Sequence, residues 1–126
     1  SDIVVSKFEF IKKNSDFQTV FEKGHSILSR YLVVYFLPKP QEKTRFGICV
    51  GKKLGKAVTR NRLKRILREA IQRLEPDQIP EGDLVLVGRQ RLIDASLMEI
   101  TVQLQMILAK LRNESQSTKG KTEDSQ

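Results

Sequence analysis

Apolar positions along the chain fall at helical spacing in three places and in short strand-like runs between them. Phe17, Val20 and Phe21 stand at i, i+3 and i+4 behind Ser15-Asp-Phe-Gln18, which has the form of a capping box, and Gly24 is placed to end the helix they predict. From Leu28 to Leu37 the chain is dense in Leu, Val, Tyr and Phe and is stopped by Pro38-Lys-Pro40, which predicts a strand. Its two faces, Leu32/Val34/Phe36 and Tyr31/Val33/Tyr35, are both apolar or aromatic. Arg45 to Lys52 predicts the next strand, with Phe46, Ile48 and Val50 on one face and Gly47, Cys49 and Gly51 leaving the other nearly bare.

The strongest helical pattern follows the short basic loop Lys53-Leu-Gly-Lys56. Leu63, Ile66, Leu67, Ala70, Ile71 and Leu74 keep the i, i+3, i+4, i+7 series without a miss, and Pro76 and Pro80 mark the exit. Leu84-Val-Leu-Val87 is an unbroken apolar run suited to a strand buried on both faces. Ser96-Leu-Met-Glu99 is a second capping box, and Leu97, Ile100, Leu104, Ile107, Leu108 and Leu111 line a last, long helix. The order helix, strands, helix, strand, helix predicts an α/β sandwich of the α+β kind, one sheet with helices packed on it, over residues 1–112. Residues 113–126 are polar throughout and predict a disordered tail.

A chain of 126 residues fits one domain with a modest core. Its single cysteine cannot close an internal disulfide, which suits a reducing compartment. No apolar run approaches the roughly 20 residues needed to span a bilayer, and the start of the sequence lacks a secretory pattern. The expectation is a cytoplasmic protein with no membrane partner.

The net charge of +8 changes the picture once it is located. Between Arg45 and Arg73 stand ten basic residues and a single acid, Glu69, so this segment carries +9 and the rest of the chain is close to neutral. Such segregation is the electrostatic footprint of a polyanion binder, and nucleic acid is the leading partner. On a helical wheel Asn61, Arg65, Arg68 and Gln72 point away from the apolar arc, with Arg62 and Lys64 beside them, giving donors about one turn, ~5.4 Å, apart. Arg60 falls near the apolar arc and has to project past the domain or be paired. Arginine dominates the row, and its planar fork suits phosphate contact and base stacking.

The run Arg45-Phe-Gly-Ile-Cys-Val-Gly-Lys-Lys-Leu-Gly-Lys-Ala-Val-Thr-Arg-Asn-Arg-Leu-Lys-Arg-Ile-Leu-Arg-Glu69 closely resembles the signature of the bacterial ribonuclease P protein family. Arg60-Asn61-Arg62, followed by Lys64, Arg65 and Arg68, looks like that family's RNR motif. Ile11-Lys-Lys-Asn-Ser-Asp-Phe-Gln-Thr-Val-Phe-Glu-Lys-Gly24 is similar to its N-terminal helix, and Asp83 to Arg89 to its last strand. The likeness covers about Lys12 to Arg112. The chain departs from the pattern at Gly51, commonly serine, and at Gln90-Arg91, often lysine-proline.

The resemblance implies a four-stranded mixed sheet with three helices, in the order αβββαβα, and a left-handed crossover through the arginine-rich helix. It also implies the job, as one protein per RNA in a holoenzyme that removes the 5′ leader of precursor tRNA. The catalytic RNA subunit, holding Mg2+, would carry the cleavage. By the same likeness Lys56, Arg60, Asn61, Arg62, Lys64, Arg65 and Arg68 contact the catalytic RNA. Phe17, Phe21, Val33, Tyr35, Lys52, Lys53 and Arg89 contact the leader of precursor tRNA.

The residues themselves offer no catalytic constellation. His25 stands alone after a helix-ending glycine, Cys49 reads as a packed thiol between glycines, and the acids are scattered rather than gathered for two-metal hydrolysis. No protein metal ligands are expected. Phe17 and Phe21 could form a stacking platform beside Val33 and Tyr35, or pack in the core; the spacing alone allows both. Two other functions fit the charge pattern, a stand-alone RNA-binding or assembly protein and a DNA-binding regulator reading a major groove.

Overall fold

A computed structural model describes the backbone of residues 8–124 and the side chains of residues 8–113. The elements are β1 (Glu9–Phe10), α1 (Asn14–Lys23), β2 (His25–Leu28), β3 (Leu32–Pro38), β4 (Arg45–Cys49), α2 (Ala57–Gln72), β5 (Gly82–Gly88) and α3 (Leu97–Asp124). Three single 3-10 turns, Lys52–Leu54, Pro76–Gln78 and Gln90–Asp94, carry the connections after β4, α2 and β5. The strands form one mixed sheet in the order β1-β4-β5-β3-β2. β4 and β5 run parallel, joined through α2, and β3 lies antiparallel to both β5 and β2. Three helices on one sheet give the α+β class predicted from the sequence.

The sheet has five strands rather than four. β1 is two residues long and pairs parallel with the start of β4, Glu9 beside Arg45 and Phe10 beside Phe46; so short a strand leaves no periodicity to read. β2 also begins earlier than the sequence pattern places it. The apolar run at Leu28–Leu37 is split by a turn in which the Ser29 amide donates to the Leu32 carbonyl at 2.9 Å. His25 is therefore an exposed strand residue, its ring edge-on to Phe36 with centroids 5.7 Å apart. Tyr31 leaves the strand face assigned to it, packs against the main core, and donates its hydroxyl hydrogen bond to Glu99 of α3 at 3.1 Å.

One face of the sheet makes the main core. Leu32, Val34 and Phe36 of β3, Leu84 and Leu86 of β5 and Phe46 of β4 pack under α2 (Leu63, Leu67, Ala70, Ile71) and α3 (Ile100, Leu104, Ile107, Leu108, Leu111). The opposite face is covered at one end only, by α1, where Ile11, Val20 and Val85 form a second buried cluster. Covered on both sides, β5 has Leu84, Val85 and Leu86 all fully buried, as its unbroken apolar run predicts.

Helix ends divide into one predicted cap that forms and one that does not. At α3 the Ser96 amide donates to Glu99 Oε1 at 2.9 Å and the Glu99 amide to Ser96 Oγ at 3.1 Å, a complete capping box. At α1 the helix starts one residue earlier than Ser15, Lys13 is the cap with no side-chain bond, and Ser15 only accepts the Thr19 hydroxyl at its carbonyl. Gly24 does end α1, through close approach rather than a left-handed turn: its φ is −79°, and a Cβ there would lie 2.7 Å from the Val20 carbonyl oxygen and 2.8 Å from that of Phe36.

Helical backbone continues past residue 113, where the sequence predicts disorder, to Asp124. Residues 1–7 and 125–126 of the predicted domain and tail lie outside the described residues. Among the described residues no helix is long and apolar enough to cross a membrane.

Candidate nucleic-acid interface

α2 buries Leu63, Leu67, Ala70 and Ile71 and turns its other side to solvent. Lys56, Asn61, Arg62, Arg65 and Arg68 are exposed, and Lys64 is half-buried. No ion pair among the described residues engages any of these cations. Glu69, one turn from Arg65 and next to Arg68, neutralises neither: all three described ion pairs, Lys39–Asp83, Arg45–Asp16 and Arg45–Asp83, lie elsewhere. The row is an array of unspent donors on a rod anchored by its far side.

Two members of the basic stretch behave differently. Arg60, near the apolar arc, folds back so that its Nε donates to the Gly55 carbonyl at 3.1 Å, fixing the loop before α2. Arg45 is not free like the row on α2, because its guanidinium is shared between Asp83 and Asp16.

A second surface lies on the sheet face that α1 covers in part. The register places Tyr35, Val85 and Gly47 in one row across β3, β5 and β4, and Val33, Val87 and Cys49 in the next. α1 lies over the first row. The ring of Phe17 sits on Gly47, where a Cβ would come within 2.5 Å of its Cε1, so the bare face of β4 is the seat of an aromatic side chain. Phe21, 38% exposed, meets Tyr35 edge-on with centroids 4.9 Å apart.

The second row is half-buried and stays open. Beyond it a groove of about 680 Å³ is lined by Val87, Gly88, Arg89 and Gln90 on one side and Gly51, Lys52, Lys53 and Leu54 on the other. The exposed Lys52 and Lys53 stand at its rim, and Arg89 bridges to the β2–β3 turn by donating from Nη1 to the Ser29 carbonyl at 2.5 Å.

The structure therefore brings the aromatic and basic candidates together, with unequal parts. Phe21 is exposed, whereas Phe17, Tyr35 and Val33 are all half-buried; Phe17 and Tyr35 pack against the second cluster, and Val33 lies in the open row. Val87 and Cys49 extend the open row and the buried Gly47 seats Phe17; none of the three was singled out as a site residue from sequence, although the bare Gly47/Cys49/Gly51 face was the available signal. Burial raises the Cys49 thiol above its ordinary pKa, opposed by the charge of Lys64, which keeps it protonated and unreactive at neutral pH. Gly51 has open space around its Cα, so the missing serine leaves room and no strain. Among the described residues no three of His, Cys, Asp and Glu gather into a set that could hold a metal ion.

The ribonuclease P family model matches residues 5–112. The ribonuclease P protein component of Oceanobacillus iheyensis is 44% identical over 101 residues, covering 79% of this chain and 84% of that protein. That of Carboxydothermus hydrogenoformans is 42% identical over 106 residues, covering 82% and 91%. The structure of the Staphylococcus aureus ribonuclease P protein superposes with a TM-score of 0.70 at 39% identity, covering 81% of this chain and 94% of that one. The Thermotoga maritima protein gives 0.72 at 33% identity, covering 81% and 96%. With the family's signature on an unpaired arginine face and its fold matched over most of the chain, the chain belongs to the bacterial ribonuclease P protein family.

Proposed function

We propose that this chain works as the protein subunit of a ribonuclease P holoenzyme, docking the catalytic RNA on α2 and the 5′ leader of precursor tRNA in the groove beside α1. The observation that carries the division of labour is the pair of chemically different surfaces. One is a row of unpaired arginines on a rigid helix; the other is a half-exposed apolar and aromatic strip rimmed by lysines.

Each surface suits its ligand. Arg62, Arg65 and Arg68, with Asn61 and Lys64, supply planar and charged donors for RNA phosphates, while Lys56 extends the row toward the loop. An α-helix does not enter the deep, narrow major groove of A-form RNA, so α2 lies along backbones or at an irregular junction. Phe21 and Tyr35 offer ring surface to bases of any identity, at about 1–3 kcal/mol per stacked base, and Val33 continues the apolar strip. Phe17 holds α1 in place beneath them. Lys52, Lys53 and Arg89 face the phosphates of the same strand.

In this reading the RNA holds the Mg2+ and carries the bond cleavage, and the protein binds. One protein per RNA, acting as a monomer in the cytoplasm, completes the reading. Reconstitution tests it: precursor tRNA should be cleaved at low Mg2+ only with both protein and RNA present, and the holoenzyme should bind precursor more tightly than mature tRNA. Cleavage by the protein alone would overturn the assignment. Equal affinity for precursor and mature tRNA would favour a stand-alone RNA-binding protein.

A further inference from the structure

The arginine row does not stand on a flat helix face. Between α2 and the first turn of α3 lies a second groove, of about 510 Å³, with Arg62, Arg65 and Arg68 around it. It is shallow and open to solvent, a seat for one planar face rather than an enclosing pocket. Ile66 and Leu97, both half-buried against the main core, give it apolar lining, and Glu69 adds one acceptor. Leu97 is the first residue of α3, directly after Ser96, so the complete Ser96–Glu99 capping box fixes this wall.

A site for phosphate alone has no use for an apolar lining or a carboxylate. A nucleotide uses all of it: arginines for phosphate and for stacking, apolar side chains for the base faces, and an acceptor for base N–H groups. Duplex RNA cannot reach such a lining, because its base faces are stacked away. Resting on the function proposed above, we infer that this groove receives one unstacked nucleobase of the catalytic RNA, seated on Ile66 and Leu97. α2 then reads an extruded or unpaired nucleotide as well as backbone charge, and Leu97 on α3 becomes a specificity-determining residue of the RNA interface.

The test compares Leu97→Ala, Leu97→Met and Arg65→Ala in the full chain, measuring affinity for the ribonuclease P RNA across a range of salt concentrations, with thermal melts to establish that each variant folds. Removing the apolar wall should weaken RNA binding roughly five- to tenfold with an unchanged log–log salt slope, since no phosphate contact is lost. Leu97→Met, which keeps an apolar wall, should bind within about twofold of the unaltered chain. Arg65→Ala should lower the slope by about 0.7–0.9. Undiminished binding by folded Leu97→Ala, or a slope that falls with it, overturns the base pocket while leaving the RNA-docking face intact. Failure of the unaltered chain to bind this RNA overturns the proposed function itself.

Discussion

Arg45 holds the buried carboxylate of Asp83 in a two-bond fork, Nε to Oδ1 at 3.0 Å and Nη2 to Oδ2 at 2.7 Å. The remaining Nη1 donates to Asp16 of α1 at 3.2 Å, and Lys39 Nζ reaches Asp83 Oδ2 at 3.0 Å. One guanidinium thus ties β4 to β5 and to the first turn of α1.

The first prediction concerns acid stability. Burial acts to raise the Asp83 carboxyl, but the hydrogen bonds from Arg45 and Lys39 outweigh it and hold the group below its ordinary value. A carboxyl depressed in the folded state contributes stability that is fully present above the unfolded pKa of about 3.9 and is lost as pH falls through the folded value. Urea midpoints should therefore drop steeply below about pH 4 in the unaltered chain. Asp83→Asn, which leaves Arg45 without its main partner, should cost about 3 kcal/mol at pH 7 and show a flatter profile below pH 4. Parallel profiles for the two proteins would remove the linkage.

The second prediction uses the lack of ion pairs on α2. Arg68 is exposed and unpaired, so Arg68→Ala should change folding stability by no more than about 0.5 kcal/mol. The same change should weaken RNA association and lower its log–log salt slope by about 0.7–0.9, one phosphate contact. Thermal melts and salt-dependent binding measured on one preparation separate the two effects.

Legibility followed from how local each cause is. α2 was readable in full, because one periodic series sets its buried face and thereby its arginine face. The Ser96 capping box was readable from two residues three apart, but the same spacing at Ser15–Gln18 gave no cap, because α1 begins one residue ahead of Ser15. Long-range causes were not readable. The parallel pairing of Glu9–Phe10 with β4, the diversion of Tyr31 to Glu99, and the capture of Arg45 by Asp83 all depend on segments dozens of residues apart. The groove proposed for the leader fell between these cases. Its aromatic residues were visible, but the seat of the Phe17 ring on Gly47 and the edge-on meeting of Phe21 with Tyr35 depend on strands distant in sequence.

The third prediction follows from that seat. Gly47→Ala would place a Cβ against the Phe17 ring and force α1 outward, an overpacking that typically costs about 1–3 kcal/mol. Leader-dependent selectivity should fall with it while RNA affinity holds. In a Phe17→Leu background the same substitution should cost less, and the double-mutant cycle should give a coupling of at least about 0.5 kcal/mol. Additive costs would mean that Phe17 does not rest on Gly47.

The fourth prediction separates the two kinds of contact proposed for the leader. Phe21 is partly exposed and touches Tyr35 at ring distance, so Phe21→Ala removes ring surface at modest cost to the fold, whereas Phe17→Ala would hollow the second cluster. Lys53 is exposed at the rim, and Lys53→Ala removes only charge. Both variants should lower the ratio of precursor to mature tRNA affinity in the holoenzyme, Phe21→Ala by about fivefold or more if one stacked base is lost. Their salt responses should differ. Lys53→Ala should lower the salt slope of precursor binding by about 0.7, the value for one single-strand phosphate contact, and Phe21→Ala should leave that slope unchanged. Neither should alter the affinity of the protein for its RNA, because α2 lies outside this groove. A loss of RNA affinity in either variant would mean that the two surfaces are not separate, and the assignment of the groove to the leader would fail with that result.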